Sequence, residues 1–162
     1  MLMRTERTVC IADFGLSITK DEIQSKKYPK VQTGTKRYFS PEALDETLDV
    51  RRFDSFTSAD IYAYALVFWE SLNQSEFNPQ AGTFQLPYHE YTKSDPSIDE
   101  MREVVVVRGR RPKLFDDPGG QADGSIIESI STIVRRCWSS DPKSRPSSFQ
   151  IKDQLDNLCL QR

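Results

Sequence analysis

Apolar residues recur at helical spacing in four stretches of this chain and suggest strand only near its beginning. Asp60 to Leu72 carries the strongest pattern. Ile61, Ala65, Phe68 and Leu72 form one stripe, and Tyr62, Leu66 and Trp69 form another, so most of the surface is apolar. A helix apolar almost all round is predicted to run through the interior, with Thr57 or Ser58 as its cap. Ile126, Ile127, Ile130, Ile133, Val134, Cys137 and Trp138 predict a second long helix, amphipathic in type. Ser97 and Glu100 form a capping box ahead of Met101, Val104 and Val105. Ser147 and Gln150 form another ahead of Ile151, Leu155 and Leu158. At the start, Met1 to Met3 and Thr8 to Ala12 read as a β-hairpin.

The remaining stretches are predicted to be irregular. Asp13 to Ser40 is polar and without period, a long loop of the kind that usually has a function. Pro41 suits the first turn of a short helix. Asn73 to Asp95 reads as an irregular insert, and Pro118-Gly119-Gly120 breaks the chain. With no repeats, the pattern predicts one mostly helical domain with a small hairpin at its start.

Composition narrows the functional classes. The 162 residues carry a formal net charge of −2, with basic residues scattered, which argues against a nucleic-acid binder. Cys10, Cys137 and Cys159 are odd in number and lack metal-ligand spacing, so a reducing cytosol is the simplest setting. Cys10 and Cys137 sit in apolar patterns and read as small core residues. The longest apolar stretch, Ile61 to Trp69, falls well short of the ~20 residues needed to span a bilayer. The start lacks the pattern of a signal peptide. Any membrane link is therefore expected outside this sequence.

Candidate chemistry lies in four places. Asp13-Phe14-Gly15 follows a strand and opens the long loop. There the aspartate can reach a divalent ion and the glycine can let the backbone turn. Gly34-Thr35-Lys36-Arg37-Tyr38 precedes Ser40-Pro41-Glu42. Asp60 stands at the head of the predicted central helix, where an ordinary cap is the simple reading. Arg145 lies in Asp141-Pro142-Lys143-Ser144-Arg145-Pro146. Any one of these alone would say little; their order is informative.

That order resembles the second half of a protein kinase domain. Leu44-Asp45-Glu46-Thr47, Ala59-Asp60-Ile61-Tyr62-Ala63, Gln85-Leu86-Pro87-Tyr88 and Ser94-Asp95-Pro96-Ser97 further resemble the receptor serine/threonine kinases of the TGF-β/activin/BMP family, the type I branch most closely. The resemblance implies a kinase-like α+β fold, here mainly the α-rich large lobe, with an activation segment over 13–42 and a helical lobe over 43–160. It implies ATP and magnesium as cofactors, with Asp13 as the metal ligand and Phe14 and Gly15 beside it. Thr35 would contact the catalytic loop and help shape the substrate pocket, and Asp60 would brace that loop. Glu42 and Arg145 would form a buried ion pair anchoring the activation segment. Departures are Phe14 where type I receptors usually carry leucine, Ala65 for glycine, and Phe39-Ser40 for Met-Ala. Asn73 to Thr83 and Phe115 to Gly124 do not match.

The expected parent protein is a plasma-membrane receptor whose cytoplasmic portion phosphorylates Smad-type proteins and works with a type II receptor kinase. A glycine-rich loop, a strand lysine with its helix glutamate, and a catalytic-loop aspartate and asparagine are not found in this sequence. His89, the one histidine, lacks a His-Arg-Asp context. The isolated chain is therefore expected to be inert, and its start is expected to fall inside a domain, as in a gene fragment. A non-catalytic decoy that holds kinase partners or substrates is the alternative. The residues by themselves also leave open a helical interaction domain unrelated to kinases.

Overall fold

A computed structural model describes residues 2–5, 8–75, 84–114 and 124–160. Strands β1 (Leu2–Thr5) and β2 (Thr8–Cys10) pair antiparallel, with Leu2 opposite Cys10 and Met3 opposite Val9. The hairpin thus ends before Ile11 and Ala12. Everything else of regular structure among the described residues is helical: α1 (Lys20–Gln24), α2 (Pro41–Leu44), α3 (Phe53–Asn73), α4 (Ile98–Arg102), α5 (Gly124–Cys137) and α6 (Ser148–Leu160). The predicted break at 118–120 lies outside the described residues.

Helix α3 is the axle of the fold. Tyr62, Ala65, Leu66 and Trp69 are buried on it, and Ile61, Tyr64, Phe68 and Leu72 are half-buried around them. In the same core lie Ile133, Val134 and Cys137 of α5, Trp138 just after it, Met101 of α4 and Ile151 of α6. The methyl of Ala65, which stands where the kinase pattern has glycine, is accommodated with no exposure. Trp69 donates its indole N–H to the Lys113 carbonyl at 2.9 Å, which satisfies the one polar atom on a large core residue.

Two expectations are corrected. Helix α3 starts at Phe53, about two turns before Asp60, so neither Thr57 nor Ser58 caps it. Thr57 bonds back to the Asp54 carbonyl, and the Ser58 hydroxyl donates to the Pro142 carbonyl at 2.8 Å. The early turns look polar in sequence, yet Phe56, Ala59 and Ala63 form one wall of a groove faced by Leu16, Ile18 and Val31. The Ser58 carbonyl also accepts from Arg145 Nη1 at 2.9 Å, so groups from residues 142–145 hold these early turns. The long loop over 13–40 also holds a helical turn. Thr19 and Glu22 cap α1 reciprocally, Thr19 N–H donating to the Glu22 carboxylate at 2.8 Å and Glu22 N–H to the Thr19 hydroxyl at 3.2 Å, while Ile23 is buried.

Both sequence-read capping boxes form, Ser97 with Glu100 and Ser147 with Gln150. Helix α4 runs straight into a π-helical turn over Glu103–Val107, an irregular continuation of four consecutive valines. Gly109, at φ 58, then closes the element, with Arg110 N–H reaching back to the Val104 carbonyl at 2.9 Å.

Candidate functional site

The segment from Gly34 to Glu42 is held at both ends and along its back. At its far end, Pro41 opens α2 and Glu42 follows in its first turn. Arg145 leaves a 3₁₀ turn, Pro142–Ser144, which Asp141 caps by accepting from Lys143 N–H and from the Ser144 hydroxyl. Those bonds hold the Asp141 carboxyl below its ordinary value, the Ser144 hydroxyl contributing most. Arg145 grips Glu42 with a parallel pair of bonds, Nη1 to Oε1 at 2.6 Å and Nη2 to Oε2 at 2.8 Å, and both residues are buried. Nε donates to Ser139 O at 3.0 Å, and Nη1 also donates to Ser58 O at 2.9 Å. The guanidinium lies 5.0 Å from the Tyr62 ring centroid, and Arg111 lies 5.2 Å from the same ring. Planar fork, paired carboxylate and aromatic face together satisfy a charge that would otherwise be costly to bury.

Toward its start the segment turns at Gly34, whose φ of 122 is a conformation side chains rarely adopt. Thr35 follows, exposed, and leads into a 3₁₀ turn over Lys36–Tyr38. Lys36 is partly exposed and pairs with the open carboxylate of Asp95 at 3.3 Å. Arg37 is the opposite, only 4% exposed, with its guanidinium turned inward. Tyr38 donates its hydroxyl to Glu70 of α3. Burial, and then the bond to Glu70, push the Tyr38 hydroxyl well up. Burial also pushes the Glu70 carboxyl up, against the opposing pull of Tyr38 and Arg37.

Asp13 is exposed and adopts φ 68, a left-handed conformation that a short polar side chain tolerates. The backbone does turn at Gly15 and Leu16, but without a left-handed glycine. The special backbone is at Asp13, and a Cβ on Gly15 would meet nothing closer than Asp13 Oδ1 at 3.6 Å. A turn follows, closed by Ser17 N–H to Phe14 O at 3.0 Å, and Phe14 and Leu16 are each 67% exposed. Among the described residues no group of three or more histidine, cysteine, aspartate or glutamate side chains is placed to hold a metal. Asp13 offers a single open carboxylate, which fits the mode in which magnesium takes one or two protein carboxylates and draws its other ligands from phosphates and water.

Asp60 lies well inside α3, so the reading of it as a helix cap is corrected. It sits on the rim shared by two grooves. The larger, about 970 Å³, runs between α3 and α6 and includes Ile11, Ile61, Tyr64, Ile151 and Leu155. The smaller, about 410 Å³, includes Gly15. Asp60 remains solvent-accessible, but the groove walls displace part of its water, and this pushes its carboxyl up. No described donor is bonded to it. Thus the structure joins Glu42 to Arg145, sets Asp60 and Gly15 along one groove, and leaves Thr35 on a separate exposed surface. Sequence reasoning missed the inward role of Arg37 and the Tyr38–Glu70 bond. Nothing local marks either one, since a Lys-Arg pair reads as surface charge.

A helical lobe on a central apolar helix, with a buried Glu–Arg pair clasping a long polar segment, defines a kinase large lobe. The chain belongs to the protein tyrosine and serine/threonine kinase family, which matches residues 1–155. It is 36% identical over 163 residues to the TGF-beta receptor type-1 of Rattus norvegicus and of Homo sapiens, covering 99% of this chain and 32% of each receptor. It is 37% identical over 164 residues to the activin receptor type-1C of Rattus norvegicus, with the same coverage. The chain therefore spans about a third of the length of the curated relatives it matches. No described helix is long and apolar enough to cross a membrane.

Proposed function

We propose that this chain is the large-lobe part of a receptor serine/threonine kinase that passes phosphate from ATP to Smad-type proteins in TGF-β/activin/BMP signalling. The family match across residues 1–155, together with the buried Glu42–Arg145 clasp, supports this reading. In it, Asp13 would hold magnesium beside Phe14 and Gly15, and the ion would neutralise charge on the transferring phosphate. Gly34 to Tyr38 would face the substrate, with Thr35 outward, and Asp60 would brace the catalytic loop from the groove rim. Its raised carboxyl and lack of a described partner suit a group whose donors belong to another part of the domain. The activation segment would run over 13–42 and the helical lobe over 43–160. The parent would sit in the plasma membrane with this lobe in the cytoplasm, beside a type II receptor kinase.

The chain alone is proposed to be inert, because the groups that hold the nucleotide and accept the substrate proton are not in its sequence. Incubation with magnesium-ATP and a Smad carboxyl-terminal peptide should give binding without phosphate transfer. Robust transfer would refute inertness. No binding, with or without nucleotide, would remove the substrate assignment. Binding that ignores nucleotide would favour the decoy role, which the exposed Thr35 and Lys36 surface could serve by itself.

A further inference from the structure

Arg37 is a cation placed in the interior, and none of its hydrogen bonds goes to a carboxylate. Nη1 donates to Pro87 O at 2.6 Å and to the Thr92 hydroxyl at 2.9 Å. Nη2 donates to Lys93 O at 2.6 Å and to Ser94 O at 2.8 Å. All four acceptors lie on one stretch, residues 87–94. A guanidinium is a rigid fork, so four acceptors around it fix the relative position of the two segments that meet there.

The receiving stretch is itself unusual. Tyr88 has φ 65, a left-handed conformation that is a genuine outlier for a bulky side chain. Such strain persists only where the surroundings over-determine it. Here Tyr88 is fully buried, its hydroxyl lies 2.5 Å from that of Tyr62, and its carbonyl accepts from Tyr91 N–H, Thr92 N–H and the Thr92 hydroxyl. The core therefore holds the turn, the turn presents its oxygens to Arg37, and Arg37 holds the residues on either side of it. Thr35 and Lys36 are left outward while their neighbour is fastened behind them.

We infer that Arg37 is a positioning residue, whose clasp on residues 87–94 sets the shape of the Thr35–Lys36 surface and makes that turn a control point over what the surface can bind. This rests on the substrate-facing role proposed above for residues 34–38. It adds a specific route by which a change at the turn reaches that surface.

Amide hydrogen exchange on the full chain tests it, because Tyr38 N–H and Phe39 N–H close the 3₁₀ turn onto Thr35 O and Lys36 O. Arg37→Met should speed exchange by about tenfold or more at Tyr38, Phe39, Tyr91 and Thr92 together, with α5 and α6 unchanged. Arg37→Lys, which keeps the charge and loses the fork, should fall between. If Arg37→Met does not fold, Thr92→Val removes one acceptor and should still speed exchange at Tyr38 and Phe39. Faster exchange at the turn alone, a uniform rise through the chain, or an Arg37→Lys variant identical to the parent would overturn the inference. Affinity for the Smad peptide, measured alongside, should drop in the same order. If the unaltered chain binds no peptide, the substrate role fails, while the exchange pattern still decides whether the two segments are coupled.

Discussion

Arg145 and Glu42 meet below the surface through two parallel hydrogen bonds of 2.6 and 2.8 Å, although over a hundred residues of chain separate them. The pair ties the end of a long polar segment to the elbow between α5 and α6, with Tyr62 of the central helix against the guanidinium. Its geometry implies that the value of each partner depends on the other.

Glu42→Gln or Arg145→Met alone should cost ~3–5 kcal/mol, because each leaves a buried charge without its counter-ion. The double variant should cost much less than the two losses added together. Urea denaturation of the four proteins measures this. Additive losses would show that the two groups do not act as a unit.

Ser40 is buried, and no described partner satisfies its hydroxyl. An orphaned buried donor costs about 1–3 kcal/mol. Ser40→Ala should therefore stabilise the chain, with a higher urea midpoint and an unchanged slope. A loss of stability would mean that the hydroxyl has a partner.

Burial raises the Asp60 carboxyl above its ordinary value, so the folded state disfavours its ionised form. A group of this sign contributes fully below its unfolded value and loses that contribution as pH rises through the folded one. Asp60→Asn should accordingly raise the melting temperature at pH 7, and the gain should shrink as pH falls toward 4. A gain independent of pH would point to packing instead of charge.

Burial pushes the Cys137 thiol up to about 11 and raises the hydroxyls of Tyr62 and Tyr88. All three stay neutral in the fold beyond the pH at which they ionise when unfolded, so stability should fall as pH climbs from about 9 through 11. Thiol titration at pH 8 should modify exposed Cys159 quickly and Cys137 only on unfolding. Rapid modification of Cys137 in the native chain would contradict its placement.

Much of this fold was legible because its helices carry periodic apolar faces. The stripes through Tyr62, Leu66 and Trp69, and through Ile133, Val134 and Cys137, mark the same residues that become the core. Both capping boxes are local devices, closed within four residues, and a sequence can state them in full. Glu42 and Arg145 were recognisable through the ordered kinase-like motifs, which single out both positions without any distance between them.

Tertiary contact decided the rest. The first turns of α3 are held by distant groups, Pro142 O accepting from the Ser58 hydroxyl and Arg145 donating to the Ser58 carbonyl, which no window around Phe53 contains. Asp60 changed from a helix end to a groove rim for the same reason. Arg37 reads as one more surface cation, and it became interior only because four oxygens from residues 87–94 converge on it. A helix face or a cap depends on neighbours in the chain, so the sequence by itself determined those; a buried charge depends on which distant dipoles gather round it, and only the folded chain brings them there.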